Sequence, residues 1–121
     1  MAGNQEFGKR VRDLREVRLK TDPAFTLRQF ATAVGISATF LSKVERGEFD
    51  PPAADKIMKM AELLKVDADE LLALAGRVDP ELNVIIRENP TVLPDLLRTM
   101  RGMTVGDLRK LAEQARNQQK A

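Results

Sequence analysis

"TLRQFATAVGISATFLSKVERGEFDPP", residues 26–52, decides how this chain folds. Thr26 followed by Gln29 has the form of a capping box and opens a helix reading "LRQFATAV". Gly35 stops that helix, because glycine best adopts the left-handed backbone just beyond a helix end. Ser37 caps another short helix, which runs to Gly47. Phe30, Ala31, Val34, Ile36, Leu41 and Val44 fall where two such helices crossing steeply must touch. Ala31 is small at the close approach, and Gly35 makes the turn. With Leu41 and Val44 inward, the later helix presents Ala38, Thr39, Ser42, Lys43 and Arg46 outward.

Working outward, Phe7, Val11, Leu14 and Val17 step by four and three residues and predict a helix over 5–19. Lys20 to Phe25 reads as a loop, since Pro23 disfavours helix at Asp22. Beyond Gly47, Phe49 to Ala53 forms a second loop, with Pro52 tolerated in the first turn of a fourth helix. That helix carries Ile57, Met60, Ala61 and Leu64 on one face. Val66-Asp67 opens a fifth, "ADELLALAG", which ends at Gly76. Five helices within residues 1–76, two of them joined by a glycine turn, form a helix-turn-helix arrangement. Its exposed helix, short-chained, polar and basic, suits a groove walled by phosphates. Apolar spacing alone would equally suit a helical hairpin that binds nothing. The turn glycine, the caps and the flanking helices favour duplex DNA.

Charge points the same way. Net charge is only +2, but it is unevenly spread. Residues 1–46 hold nine Lys/Arg against five Asp/Glu, whereas residues 47–76 hold three against seven. A basic region beside an acidic one is expected when a single face meets a polyanion. Salt-bridged, solvated helix faces are the plainer alternative.

Composition excludes several other classes. Of 121 residues, 43% are hydrophobic and 31% charged, ordinary for a globular protein. The absence of cysteine excludes a disulfide framework. Histidine, tyrosine and tryptophan are also missing, which removes the commonest general base, the commonest metal ligand and the usual stacking platforms for single-stranded nucleic acid. The expectation is therefore no enzyme, no cofactor and no metal. No apolar run reaches the ~18 residues of a membrane span and no signal-peptide core is present, so the chain is expected in the cytoplasm, away from any membrane.

Residues 7–76 resemble the Cro/phage-repressor-like (XRE) family of helix-turn-helix regulators. The resemblance rests on the small residue, the turn glycine, the "S-x-x-x-L-S-K-V-E-R-G" helix and the proline loop, together with "AELLKVDADELLALAG". It implies an all-α fold: a five-helix lambda-repressor-like DNA-binding domain over residues 1–76, with helix 38–46 in the major groove. The loop "LKTDPAF" is longer than the family's pattern, which puts backbone contacts there in doubt.

Thr39 and Lys43 are the leading candidates for base edges. Lys43 can reach guanine O6/N7, and Thr39 offers a hydroxyl and a methyl. Ala38 and Ser42 rank behind them. Thr26, Arg28, Gln29 and Arg46 are candidate phosphate contacts, helped by free amides at the start of the second helix. For each, capping or plain solvation is the alternative. Arg15 and Glu45 resemble the family's internal ion pair, a structural role that keeps Glu45 from reading bases. Phe40 either packs beside the fourth helix or lies along the DNA backbone, with packing favoured.

Residues 77–121 show no specific resemblance. Helices are expected from Asp79-Pro80-Glu81, from Pro94 in "DLLRTMRG", and from the capping box Thr104 to Asp107, with Asn89-Pro90 interrupting. Such short segments are marginal alone. Leu82, Ile85, Ile86, Leu93, Leu96, Leu97 and Met100 supply apolar surface for a short C-terminal oligomerisation region, that is, a homodimer on a near-palindromic operator. Alternatively these residues pack back on their own chain. A repressor is the expected mode, of bacterial or phage type. An antitoxin that autoregulates its operon is the main alternative, in which case this region meets a toxin or another regulatory protein.

Overall fold

The structure, a computed structural model, describes residues 3–120. These residues divide between two compact units, residues 1–80 and 81–121. Among the described residues the regular structure is entirely helical. In the first unit, α1 (Gln5–Leu19) is followed by a single 3-10 turn (Pro23–Phe25), then α2 (Leu27–Val34), α3 (Ala38–Glu45), α4 (Ala54–Leu64) and α5 (Ala68–Leu74). Helix α6 (Pro80–Glu88) begins on the last residue of the first unit and otherwise belongs to the second, with α7 (Val92–Thr99) and α8 (Val105–Gln119). No helix among the described residues is long and apolar enough to cross a membrane.

Local chemistry sets most of these ends. Asn4 caps α1, its side chain accepting from the Phe7 amide at 2.9 Å, and its Nδ2 donates to the Leu74 carbonyl at 2.8 Å. Thr26 accepts from the Gln29 amide at 3.2 Å. The reciprocal half of a capping box is missing, because the Thr26 amide already donates to the Pro23 carbonyl at 3.3 Å. Gly35 adopts φ +92°, and its amide and that of Ile36 both close on the Ala31 carbonyl, at 2.9 and 3.0 Å. Ser37 then caps α3 through the Phe40 amide at 3.0 Å.

The core of the first unit gathers Phe7 and Val11 of α1, Phe30, Ala31 and Val34 of α2, Leu41 and Val44 of α3, and Ile57, Met60, Ala61 and Leu64 of α4. Leu71 and Leu72 of α5 close it. Ile36 is only partly buried against this core. Phe25 joins it from the segment read as a loop, its ring stacked on Phe30 with centroids 5.8 Å apart.

One helix face and two helix starts differ from the sequence reading. Val17 is 63% exposed, while Arg15 takes the inward position. At 100° per residue, Val17 lies about 120° round the helix from Val11, whereas Arg15 lies about 40° away. Pro51 and Pro52 are both buried before α4, which starts only at Ala54. Their carbonyls accept from Arg77 Nη2 and Nε at 2.8 and 3.0 Å, so the chain as far as Arg77 is tied into the first unit. Finally, Pro94 stands within the first turn of α7 rather than at its start. Helix α8 is capped by Thr104 Oγ1, which accepts from the Asp107 amide at 3.1 Å.

Candidate nucleic-acid interface

Helix α3 is fixed to the core by Leu41 and Val44 and shows its other side to solvent. Thr39 and Arg46 are exposed, and Ala38, Ser42 and Lys43 partly so. Thr39 and Lys43, and likewise Ala38 and Ser42, stand four residues apart and so share one face of the helix. The helix proper ends at Glu45, with Arg46 as its C-terminal cap.

Glu45 is turned the opposite way. Its two carboxylate oxygens accept from Arg15 Nε and Nη2 at 2.8 and 2.9 Å, and Arg15 Nη1 donates to the Phe25 carbonyl at 3.0 Å. Both residues are buried. The hydrogen bonds to Glu45 raise the Arg15 pKa above the usual guanidinium value, against the opposing cost of burial. One buried pair therefore joins α1, the 3-10 turn and the end of α3, and it removes a negative charge from the outward face. Gly8 sets how closely α1 and α3 approach. A Cβ built there would stand 2.3 Å from the Val44 carbonyl oxygen and 2.8 Å from that of Glu45, so only glycine fits without movement.

The start of α2 adjoins this face. Arg28 and Gln29 are exposed there, and Thr26 is half-buried. With Thr26 Oγ1 on the Gln29 amide, the amides of Leu27 and Arg28 have no acceptor among the described residues and stand open at the positive end of the helix dipole. Among the described residues Arg28 forms no ion pair. A shallow notch of about 230 Å³ lies between α1, the start of α2 and α3, and its walls include Arg12, Leu27, Ser42 and Arg46. Arg12, which the sequence reading left unassigned, stands on the same rim, its Nε paired with Glu16 at 3.2 Å.

Arg46 is less free than its sequence suggests, because Glu48 pairs with its Nε at 2.7 Å. Phe40 is partly buried against the core and lies beside Phe49, with ring centroids 6.0 Å apart. Lys43 carries its ammonium 4.9 Å above the centre of the Phe49 ring. Glu48, Phe49, Gly8 and Arg12 were missed in the sequence reading. Gly8 carried one usable signal: it stands inside a helical pattern one residue after Phe7, where alanine would be the better helix former.

The helix-turn-helix domain model matches residues 6–74, more than half of the chain. The chain belongs to the helix-turn-helix domain family. The matched span covers the first unit from α1 to the end of α5. Among relatives, it is 38% identical over 72 residues to an uncharacterized HTH-type transcriptional regulator, RghRB of Bacillus subtilis, covering 60% of this chain and 48% of that protein. It is 36% identical over 75 residues to the HTH-type transcriptional repressor RghR of the same organism, covering 62% and 52%. A shorter relative, the uncharacterized HTH-type transcriptional regulator YazB of Bacillus subtilis, is 38% identical over 65 residues, 54% of this chain and 86% of that protein. The chain spans about half the length of the first two relatives.

Proposed function

We propose that this helix-turn-helix chain is a sequence-specific, double-stranded-DNA-binding transcriptional regulator of the XRE type, acting as a repressor. Helix α3 enters the major groove, with Thr39 and Lys43 on base edges, Ala38 and Ser42 beside them, and Thr26, Arg28, Gln29 and Arg46 on the flanking phosphates. The observation that carries this reading is the orientation of α3. Its polar and basic side chains face solvent beside the open amides of α2, while its one carboxylate, Glu45, is buried on Arg15. Relatives named as transcriptional regulators, one of them a repressor, support the same reading.

Residues 81–121 are assigned to pairing two copies. No described residue of α6, α7 or α8 is buried. Leu82, Ile85, Leu96 and Leu97 are exposed, and Ile86, Leu93 and Met100 only half-buried. Apolar surface left this open favours cover by an equivalent surface, and a two-fold pair would present two α3 helices to a near-palindromic site about 34 Å per repeat.

Selection of bound duplexes from a random library, with full-length protein, tests the function. A single enriched motif with two-fold symmetry is the expected result. Recovery of unselected sequence would end the specific reading, and a one-sided motif would end the homodimer.

A further inference from the structure

We infer that Phe49 is a positioning residue for DNA recognition: its ring holds the Lys43 ammonium ready for a base edge without occupying the donors that would read it. The inference rests on the proposed role of Lys43. The turn after α3 creates the arrangement. Gly47 takes φ +75°, and the amides of Glu48 and Phe49 both return to the Lys43 carbonyl, at 2.8 and 3.3 Å. The backbone of Phe49 is thus pinned to the residue whose side chain its ring supports. Phe40, itself packed against the core, lies against that ring with centroids 6.0 Å apart. A chain of contacts runs from the core through Phe40 to Phe49, whose rings are tilted 50° to one another, and on to the Lys43 ammonium, 4.9 Å above the ring centre.

The chemistry of the partner matters. Among the described residues no carboxylate pairs with Lys43, in contrast to Arg46, which Glu48 occupies. A carboxylate would neutralise the ammonium and accept its N–H groups, so DNA would have to break that bond first. An aromatic face attracts the cation by its quadrupole and accepts no conventional hydrogen bond. Three N–H donors therefore stay available to guanine O6 and N7 while the long stem is already restrained. Phe49 is 40% exposed, an otherwise unexplained position for a large apolar ring next to a polar face.

The test is a double-mutant cycle on the selected duplex and on an unrelated duplex, using wild type, Phe49→Leu, Phe49→Tyr, Lys43→Ala and the Phe49→Leu/Lys43→Ala pair. Phe49→Leu should weaken binding to the selected duplex by roughly two- to tenfold, the cost of restraining one long side chain only on binding. It should leave the unrelated duplex unchanged and relax preference at the base pair that Lys43→Ala relaxes. Phe49→Tyr should retain wild-type binding, and in the Lys43→Ala background Phe49→Leu should have no further effect. In the free protein, the upfield ring-current shift of the Lys43 ε-protons should disappear in Phe49→Leu. An equal loss in the Lys43→Ala background, or on both duplexes, would show that the ring touches DNA or supports the turn and would overturn the inference. So would tighter binding by Phe49→Leu, which would make the ring a trap for the ammonium. If wild type itself selects no duplex, the DNA-binding reading fails, a result separate from failure of the cycle.

Discussion

Arg15 grips Glu45 through two hydrogen bonds of 2.8 and 2.9 Å, one to each carboxylate oxygen, buried between α1 and the end of α3. Removing either partner strands a charge in the core. Arg15→Met or Glu45→Leu alone should destabilise the first unit by about 3–5 kcal/mol, whereas the double substitution should recover a large part of that loss. Urea denaturation of the three variants checks this. Because the Arg15 pKa is raised, its stabilisation is fully present below the unfolded value and is lost only as pH climbs past the folded one. Titration of the guanidinium should therefore cause no stability change between about pH 5 and 9.

Gly8→Ala pits two effects against each other. Alanine gains about 1 kcal/mol of helix propensity. Its methyl would press on the carbonyl oxygens of Val44 and Glu45, both backbone atoms that cannot swing aside. Overpacking of about 1–3 kcal/mol should win, giving lower stability and weaker duplex binding through a displaced α3. A more stable Gly8→Ala protein would show that α1 and α3 are less closely seated than described.

Base and phosphate contacts should separate by their sequence dependence. Lys43→Ala or Thr39→Ala should each cost about 1–3 kcal/mol on the selected duplex and relax one base pair. Arg28→Ala should weaken all duplexes by a similar factor. Competition binding across single-base variants distinguishes them, and an unchanged site for Lys43→Ala would remove it as a base reader.

Ionic strength should control affinity. With about six phosphates neutralised, binding should weaken by about 10³ between 50 and 200 mM salt. A flat titration would contradict a basic face on the DNA backbone.

Truncation after Pro80 should leave a folded, monomeric first unit that binds one half-site weakly. The cut falls there and not at Gly76, because Arg77 donates to the carbonyls of Pro51 and Pro52. Light scattering of residues 1–80 that reports a dimer would place the pairing surface in the first unit.

The helices of the first unit were legible because their signals are local. Thr26, Gly35 and Ser37 act within three or four residues of themselves, and Ile57, Met60, Ala61 and Leu64 repeat at the helical period. The outward set on α3 followed from that same period once Leu41 and Val44 were placed inside. Arg15 and Glu45 were singled out through the family resemblance, since nothing local links residues thirty positions apart.

Tertiary structure decided the rest. Val17 looked apolar enough to face inward, yet the phase of α1 put Arg15 there, where Glu45 and the Phe25 carbonyl satisfy its guanidinium. Phe25 reads as loop from Asp22-Pro23, but the 3-10 turn delivers its ring onto Phe30. Gly8 and Phe49 gained their roles only from what lies across from them: the α3 carbonyls for one, the Lys43 ammonium for the other. Periodicity and capping record how a chain bonds to its near neighbours. Which buried charge finds its partner, and which backbone must come within a hydrogen's width of another, depends on contacts between segments far apart in the chain.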